Sequence, residues 1–183
     1  MSGAARVIAG VSGSPGSLPT LRHAADLARS HDATLTPVLA WTSPGGDIAE
    51  CHSPSPILRQ IWKDAAWQRL WDAFDAAFGG VPADLRAEPL VQRGEAGCAL
   101  VNAASRTDDL LVVGTGRRGT LGRLRHGKVS RSCLAHARCP VLAIPASASP
   151  LEQAAGHGLH GWTFRRRGHL RGRNVASHPS VPR

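Results

Sequence analysis

Three short apolar runs, Val7–Val11, Leu110–Val113 and Val141–Ile144, constrain the fold of this chain more than any other feature. A strand with one wet face alternates polar and apolar residues, whereas a strand covered on both faces does not. Such runs therefore belong in the middle of a sheet with helices on either side. Two further strands are expected at Thr34–Trp41, which alternates, and at Ala87–Arg93; the fourth is expected over Asp109–Gly114. Between them the apolar spacing becomes helical. Leu18, Leu21, Ala24, Ala25, Leu27 and Ala28 line one face of a first helix, with Ser14 or Ser17 as its cap and Pro19 in its first turn. The longest helix is expected over Ile57–Phe78, with Ile57, Ile61 and Ala65 followed by an aromatic stripe, Trp67, Trp71, Phe74 and Phe78. That stripe reads as core or dimer packing, and Gly79-Gly80 stops the helix. Two more helices are expected at Glu95–Ser105 and Gly127–Ala137. Strand and helix alternate throughout, which predicts an α/β fold: a parallel sheet with right-handed crossovers and helices on both faces.

At 183 residues, 42% apolar and 19% charged, the chain is long enough for one domain with a sizeable core. That domain is expected at 1–146. Residues 147–183 are rich in Gly, His and Arg and are expected to form a mostly disordered basic tail, with a short helix near Leu151–Ala155. No apolar run approaches the roughly 20 residues of a bilayer span, and the opening Met-Ser-Gly-Ala-Ala-Arg lacks signal-peptide character. A cytoplasmic location without membrane contact is the expectation. The net charge of +9 is uneven, because the last 34 residues carry six arginines against one acid, Glu152. Twenty arginines against two lysines also reflect coding bias, so the charge is a weak guide to partners.

Ligands of open parallel sheets bind beyond the carboxyl ends of the strands, where strand order reverses. Two loops leave such ends with unusual composition. The first is Gly10-Val11-Ser12-Gly13-Ser14-Pro15-Gly16. The second, Gly114-Thr115-Gly116-Arg117-Arg118-Gly119-Thr120-Leu121-Gly122, leads to Gly127-Lys128-Val129-Ser130 at an expected helix start. Glycines let backbone amides approach a phosphate, and a helix start adds free N–H groups and a favourable dipole. Residues 117–138 hold seven cations and no acid. An anion site between 114 and 130 is preferred to a merely solvated basic surface. Gly122-x4-Gly127-Lys128 is also a partial phosphate-binding P-loop, but Val129 stands where a hydroxyl would hold Mg²⁺, and Gly122 lies eight residues past the strand. No catalytic constellation is expected. Asp108-Asp109 opens a strand at the wrong edge, Ser12 and Ser14 have no evident His partner, and His126 sits in the basic loop. Cys51, Cys98, Cys133 and Cys139 include no Cys-x-x-Cys pair; Cys133, His136 and Cys139 straddle a helix end and a strand start, where packing is a better reading than a metal site.

Val-Ile-Ala-Gly-Val-Ser-Gly-Ser-Pro-Gly-Ser from Val7 to Ser17, and Asp-Leu-Leu-Val-Val-Gly-Thr-Gly-Arg-Arg-Gly from Asp109 to Gly119, resemble the universal stress protein family. Gly-Lys-Val-Ser-Arg at 127–131 and Ala-Arg-Cys-Pro-Val-Leu-Ala-Ile-Pro at 137–145 extend the resemblance over residues 5–146. It implies a five-stranded parallel sheet in the order 3-2-1-4-5 and a homodimer joined along the fifth strands. In the nucleotide-binding branch it also implies ATP held by the first loop and the loop after strand four. That branch has Gly-x-x-Gly-x9-Gly-Ser/Thr. Gly114 and Gly127 match its first and third glycines, and Ser130 matches a further phosphate-contacting hydroxyl. The second glycine falls on Arg117, the Ser/Thr on Lys128, and an expected Asp of the first loop on Ser12. These departures all move charge in the positive direction, which favours a phosphate-rich ligand with less help from Mg²⁺.

The resulting expectation is a stress-response regulatory protein that binds ATP or a related nucleotide without established catalysis. Ser12, Gly13, Gly114, Arg117, Gly127, Lys128, Val129 and Ser130 are the candidate site residues. The alternative is a ligand-free homodimer of the same type acting through protein contacts. Nucleic-acid binding through the basic loop and tail is a third reading, weakened because the tail offers only Trp162 and Phe164 for stacking.

Overall fold

The computed structural model describes residues 5–46, 51–52, 54–115 and 122–145, with backbone alone for 122–126. Five parallel strands, β1 (Arg6–Val11), β2 (Thr34–Trp41), β3 (Leu90–Arg93), β4 (Asp109–Gly114) and β5 (Val141–Ile144), form one sheet in the order β3-β2-β1-β4-β5. The helices are α1 (Leu18–His31), α2 (Pro56–Phe78), α3 (Ala96–Ala103) and α4 (Gly122–His136), with a 3₁₀ turn, Pro15–Ser17, ahead of α1. Each face of the sheet has its own core. Val7, Ala9, Val11, Leu35, Leu39 and Trp41 pack under Leu21, Ala25 and Ala28 of α1 and Leu70 and Phe74 of α2. Ile8, Val38, Leu111 and Val113 point the other way, toward Leu100 of α3 and Cys133 of α4. The apolar runs thus conceal a strict alternation between two buried faces.

Several element boundaries differ from expectation for identifiable reasons. The third strand does not run unbroken from Ala87. Leu35 accepts from Glu88 N and donates to Arg86 O, so β2 turns Leu35, Pro37 and Leu39 toward β3. Pro37 has no N–H to donate there, so an isolated bridge at Leu35–Ala87 precedes regular pairing from Val38–Leu90. Neither Ser14 nor Ser17 caps α1 through its side chain; instead the Ser17 hydroxyl donates to Ser14 O at 2.8 Å, inside the 3₁₀ turn. Ser55 caps α2 by accepting from Leu58 N. The aromatic stripe stacks along α2, with Trp67–Trp71 and Trp71–Phe74 centroids 5.8 Å apart. Ile57 and Ile61, expected on the packing face, are 74% and 53% exposed, because each precedes a buried residue of the stripe, Ala66 or Leu70, by about two and a half helical turns and so faces away from the sheet.

At the amino edge, Arg6 Nε and its terminal nitrogen donate to the two carboxylate oxygens of Asp109 at 2.9 and 2.8 Å. Asp109 also accepts from Arg106 N, and its side chain is fully buried. This arrangement ties β1 to β4 away from the ligand edge. Among the described residues, no helix is long and apolar enough to cross a membrane.

Candidate functional site

The strand order reverses between β1 and β4, whose crossovers leave in opposite directions. Ala9 pairs with Val112, so the ends at Val11 and Gly114 lie side by side and their loops flank one crevice. On the β1 side, Ser12, Gly13 and Ser14 are exposed, and the two serine hydroxyls bond each other at 2.8 Å. Gly13 has φ +72°, and a Cβ there would lie 3.1 Å from Cβ of Arg69. Glycine is therefore required both for the left-handed backbone and for the close approach of α2. Arg69, exposed and donating to Ala65 O, brings an additional cation beside this loop. Sequence reasoning missed it. Its only sequence mark is its helical position, flanking the buried stripe Ala66, Leu70 and Ala73.

On the β4 side, a Cβ on Gly114 would meet Thr20 Oγ1 of α1 at 2.8 Å. This glycine lets α1 close down on the strand end. The Ser130 hydroxyl donates to Gly114 O at 2.9 Å and is buried, and Thr115 N donates to Ile144 O. Gly127, Lys128, Val129 and Ser130 do not open a helix as expected, because α4 begins at Gly122. The amides left without a helical partner belong to its first turn, and those of 127–130 lie inside the ladder. A glycine in a helix interior costs only about 1 kcal/mol relative to alanine, so Gly127 does not delay the start. Lys128 is exposed, Val129 packs against the second core, and a Cβ on Gly127 would meet nothing nearer than an Arg131 nitrogen at 3.9 Å. Arg117, and with it residues 116–121, lies outside the described residues, as does the tail from 146 onward.

Cys133 and Cys139 are buried in the second core, His136 is exposed with its ring on Ser132 O, and Cys51 and Cys98 are exposed. Burial pushes the Cys133 thiol up to about 11. Among the described residues no group of three His, Cys, Asp or Glu is placed to hold a metal ion.

The chain matches the universal stress protein family model over residues 4–145. Universal stress protein UspA from Lactobacillus plantarum is 19% identical, covering 79% of this chain and 99% of its own, with a TM-score of 0.57. The hypothetical protein MJ0577 is 12% identical, covering 80% and 99%, with a TM-score of 0.62. A universal stress protein in complex with cAMP is 24% identical, covering 78% and 97%, with a TM-score of 0.49. The first two likenesses are of fold. No curated protein matches the chain. With 142 consecutive residues matched and the sheet in the order that the resemblance implied, the chain belongs to the universal stress protein family.

Proposed function

We propose that this protein binds ATP or a related nucleotide in the crevice beyond β1 and β4, as a regulatory homodimer without turnover chemistry. The observation that carries this reading is the strand reversal, which sets the exposed Ser12–Gly13–Ser14 loop beside the Gly114–Thr115 end. Donors suited to phosphate oxygens are the hydroxyls of Ser12 and Ser14, loop amides and, beside Gly13, the cation Arg69; Lys128, exposed on α4, is the cation proposed from that side. No acid occurs from Ser12 to Arg22 or from Leu110 to Pro145, so the chain supplies the crevice no carboxylate from these segments to hold Mg²⁺. Among the described residues the Ser12 and Ser14 hydroxyls bond each other, whereas a serine nucleophile needs an adjacent base. The test is release of stoichiometric nucleotide from purified protein on denaturation, followed by calorimetric titration with ATP.

A second reading, the ligand-free dimer, is favoured by two details. The single hydroxyl proton of Ser130 is engaged on Gly114 O, and the amides of 127–130 are within the α4 ladder. Absence of bound nucleotide and of binding heat, with an intact dimer, would select it.

A further inference from the structure

Opposite its buried residues Ala66, Leu70, Ala73 and Phe74, α2 turns a second face to solvent. At about 3.6 residues per turn that face carries Ile57, Ile61, Asp64, Gln68, Asp72 and Asp75, all of them exposed. Its character changes along the helix. The first two turns present Ile57 and Ile61, more than half exposed, with Leu58 beside them, and from Asp64 onward the face is acidic. Gln60 donates to Asp64 at 2.8 Å and Gln68 to Asp72 at 2.9 Å. A neutral amide orients a carboxylate without cancelling its charge. The cations of α2 lie off this face: Arg59 and Lys63 meet Arg93 near Trp41 at the end of the sheet, and Arg69 lies beside Gly13. Arg22 of α1 is engaged on the carbonyls of Ala76 and Ala77.

Exposed isoleucines ahead of a row of acids fit a partner in which aromatic residues precede cations. The chain carries such a segment itself, Trp162-Thr163-Phe164-Arg165-Arg166-Arg167, beyond the family match that ends at residue 145. We infer that this segment docks along the outer face of α2, running parallel to the helix. The spacings agree. Alternate side chains of an extended segment share one side about 6.6 Å apart, close to the rise of about 6 Å between helix residues four apart. Trp162 then sits on Ile57, Phe164 on Ile61 and Arg166 at Asp64, with Arg167 reaching toward Asp72. The reach agrees too. All strands are parallel, so β5 ends at the carboxyl edge from which α2 starts. Three strand spacings, about 14 Å, separate β5 from β2 under α2. Sixteen residues lie between Pro145 and Trp162, and an unstructured chain of that length spans about 20–24 Å. The segment therefore meets its own α2 at an effective concentration on the order of millimolar, ahead of any second copy. The face lies away from the β1/β4 crevice, so the docking stands whether or not a nucleotide binds there.

The test is brief trypsin digestion of the full chain, because the tail holds its own reference sites. Arg165, Arg166 and Arg167 lie inside the docked segment, and Arg171 and Arg173 outside it. The ratio of early cleavage at the first group to that at the second is read by mass spectrometry of the released fragments. Cleavage follows the undocked fraction, so a segment docked about nine-tenths of the time is cut about tenfold more slowly. Ile57→Ser with Ile61→Ser, and separately Asp64→Lys with Asp72→Lys, should each raise the ratio by about tenfold. Val81→Ser, at an exposed site off this face, should leave it unchanged. A ratio that either double variant fails to raise would overturn the inference. Protection that fades on dilution would overturn it equally, because the segment would then lie on a second copy.

Discussion

Ser130→Ala separates a structural hydroxyl from a ligand-binding one. In the folded chain the Ser130 proton lies on Gly114 O at 2.9 Å, in a residue that is 6% exposed. Removing the hydroxyl deletes one neutral hydrogen bond and strands part of a carbonyl's bonding capacity where water has little access. The first loss is about 0.5–1.5 kcal/mol and the second can raise the total toward about 2 kcal/mol. For a chain of this length each kcal/mol lowers the thermal midpoint by roughly 2–4 °C, so a fall of about 1–8 °C is expected without any ligand. Ser12→Ala, at an exposed position, is the matched control and should stay within about 0.5 kcal/mol of wild type. Thermal unfolding followed by circular dichroism, with and without ATP, reads both. A ligand-free midpoint for Ser130→Ala equal to wild type, together with a large loss of ATP affinity, would refute the reasoning and make the hydroxyl a phosphate contact.

Asp109→Ala leaves Arg6 partly buried without its partner and should cost about 3–5 kcal/mol in urea unfolding, whereas Arg6→Met combined with Asp109→Leu should recover most of it. The edge strand gives a prediction about assembly. Leu111 N donates to Pro140 O and Thr115 N to Ile144 O, so Val141 and Ala143 turn their backbone groups outward, away from β4. We expect a dimer in sedimentation, and a monomer for Val141→Pro, which removes an outward donor while sparing the β4 ladder. A wild-type monomer at micromolar concentration would contradict this. The cysteines should divide in two, with Cys51 and Cys98 reacting with a thiol reagent in the native protein and Cys133 and Cys139 only after unfolding. Because burial raises Cys133 from 9.0 to about 11, the folded state keeps a proton that the unfolded chain has lost. Stability should therefore fall as pH climbs from about 9 toward 11, and the Cys133→Ala variant should show less of that fall.

Much of the architecture was legible because it is local. Thr34–Trp41, Asp109–Gly114 and Val141–Ile144 form strands at the bounds their apolar patterns predict. The order of those strands is not local, and it came with the family resemblance. What escaped was whatever depends on register or on distant packing. The break at Ala87–Leu90 follows from Pro37, whose missing N–H is seen to face β3 only once β2 and β3 are aligned. The early start of α4 escaped because Gly127-Lys128 imitates a helix opening, while the residues ahead of it look like loop. The site shows the same division. Gly114 was singled out as a phosphate-loop glycine, yet its lack of a side chain also answers to Thr20, 94 positions earlier in the chain. Arg69 at Gly13, and the meeting of Arg59, Lys63 and Arg93 over Trp41, join residues whose sequence spacing carries no sign of contact. Ile57 and Ile61 keep helical spacing with each other, but they lie on the face of α2 opposite the buried Ala66 and Leu70.

The most direct measurement is calorimetric titration of the full chain with ATP, on wild type and Lys128→Ala at low and high salt. We expect one nucleotide per protomer, weakened about tenfold by Lys128→Ala and further by salt, as loss of an exposed cation near phosphates requires. No heat of binding for wild type, with no nucleotide released on denaturation, would contradict nucleotide binding in the β1/β4 crevice.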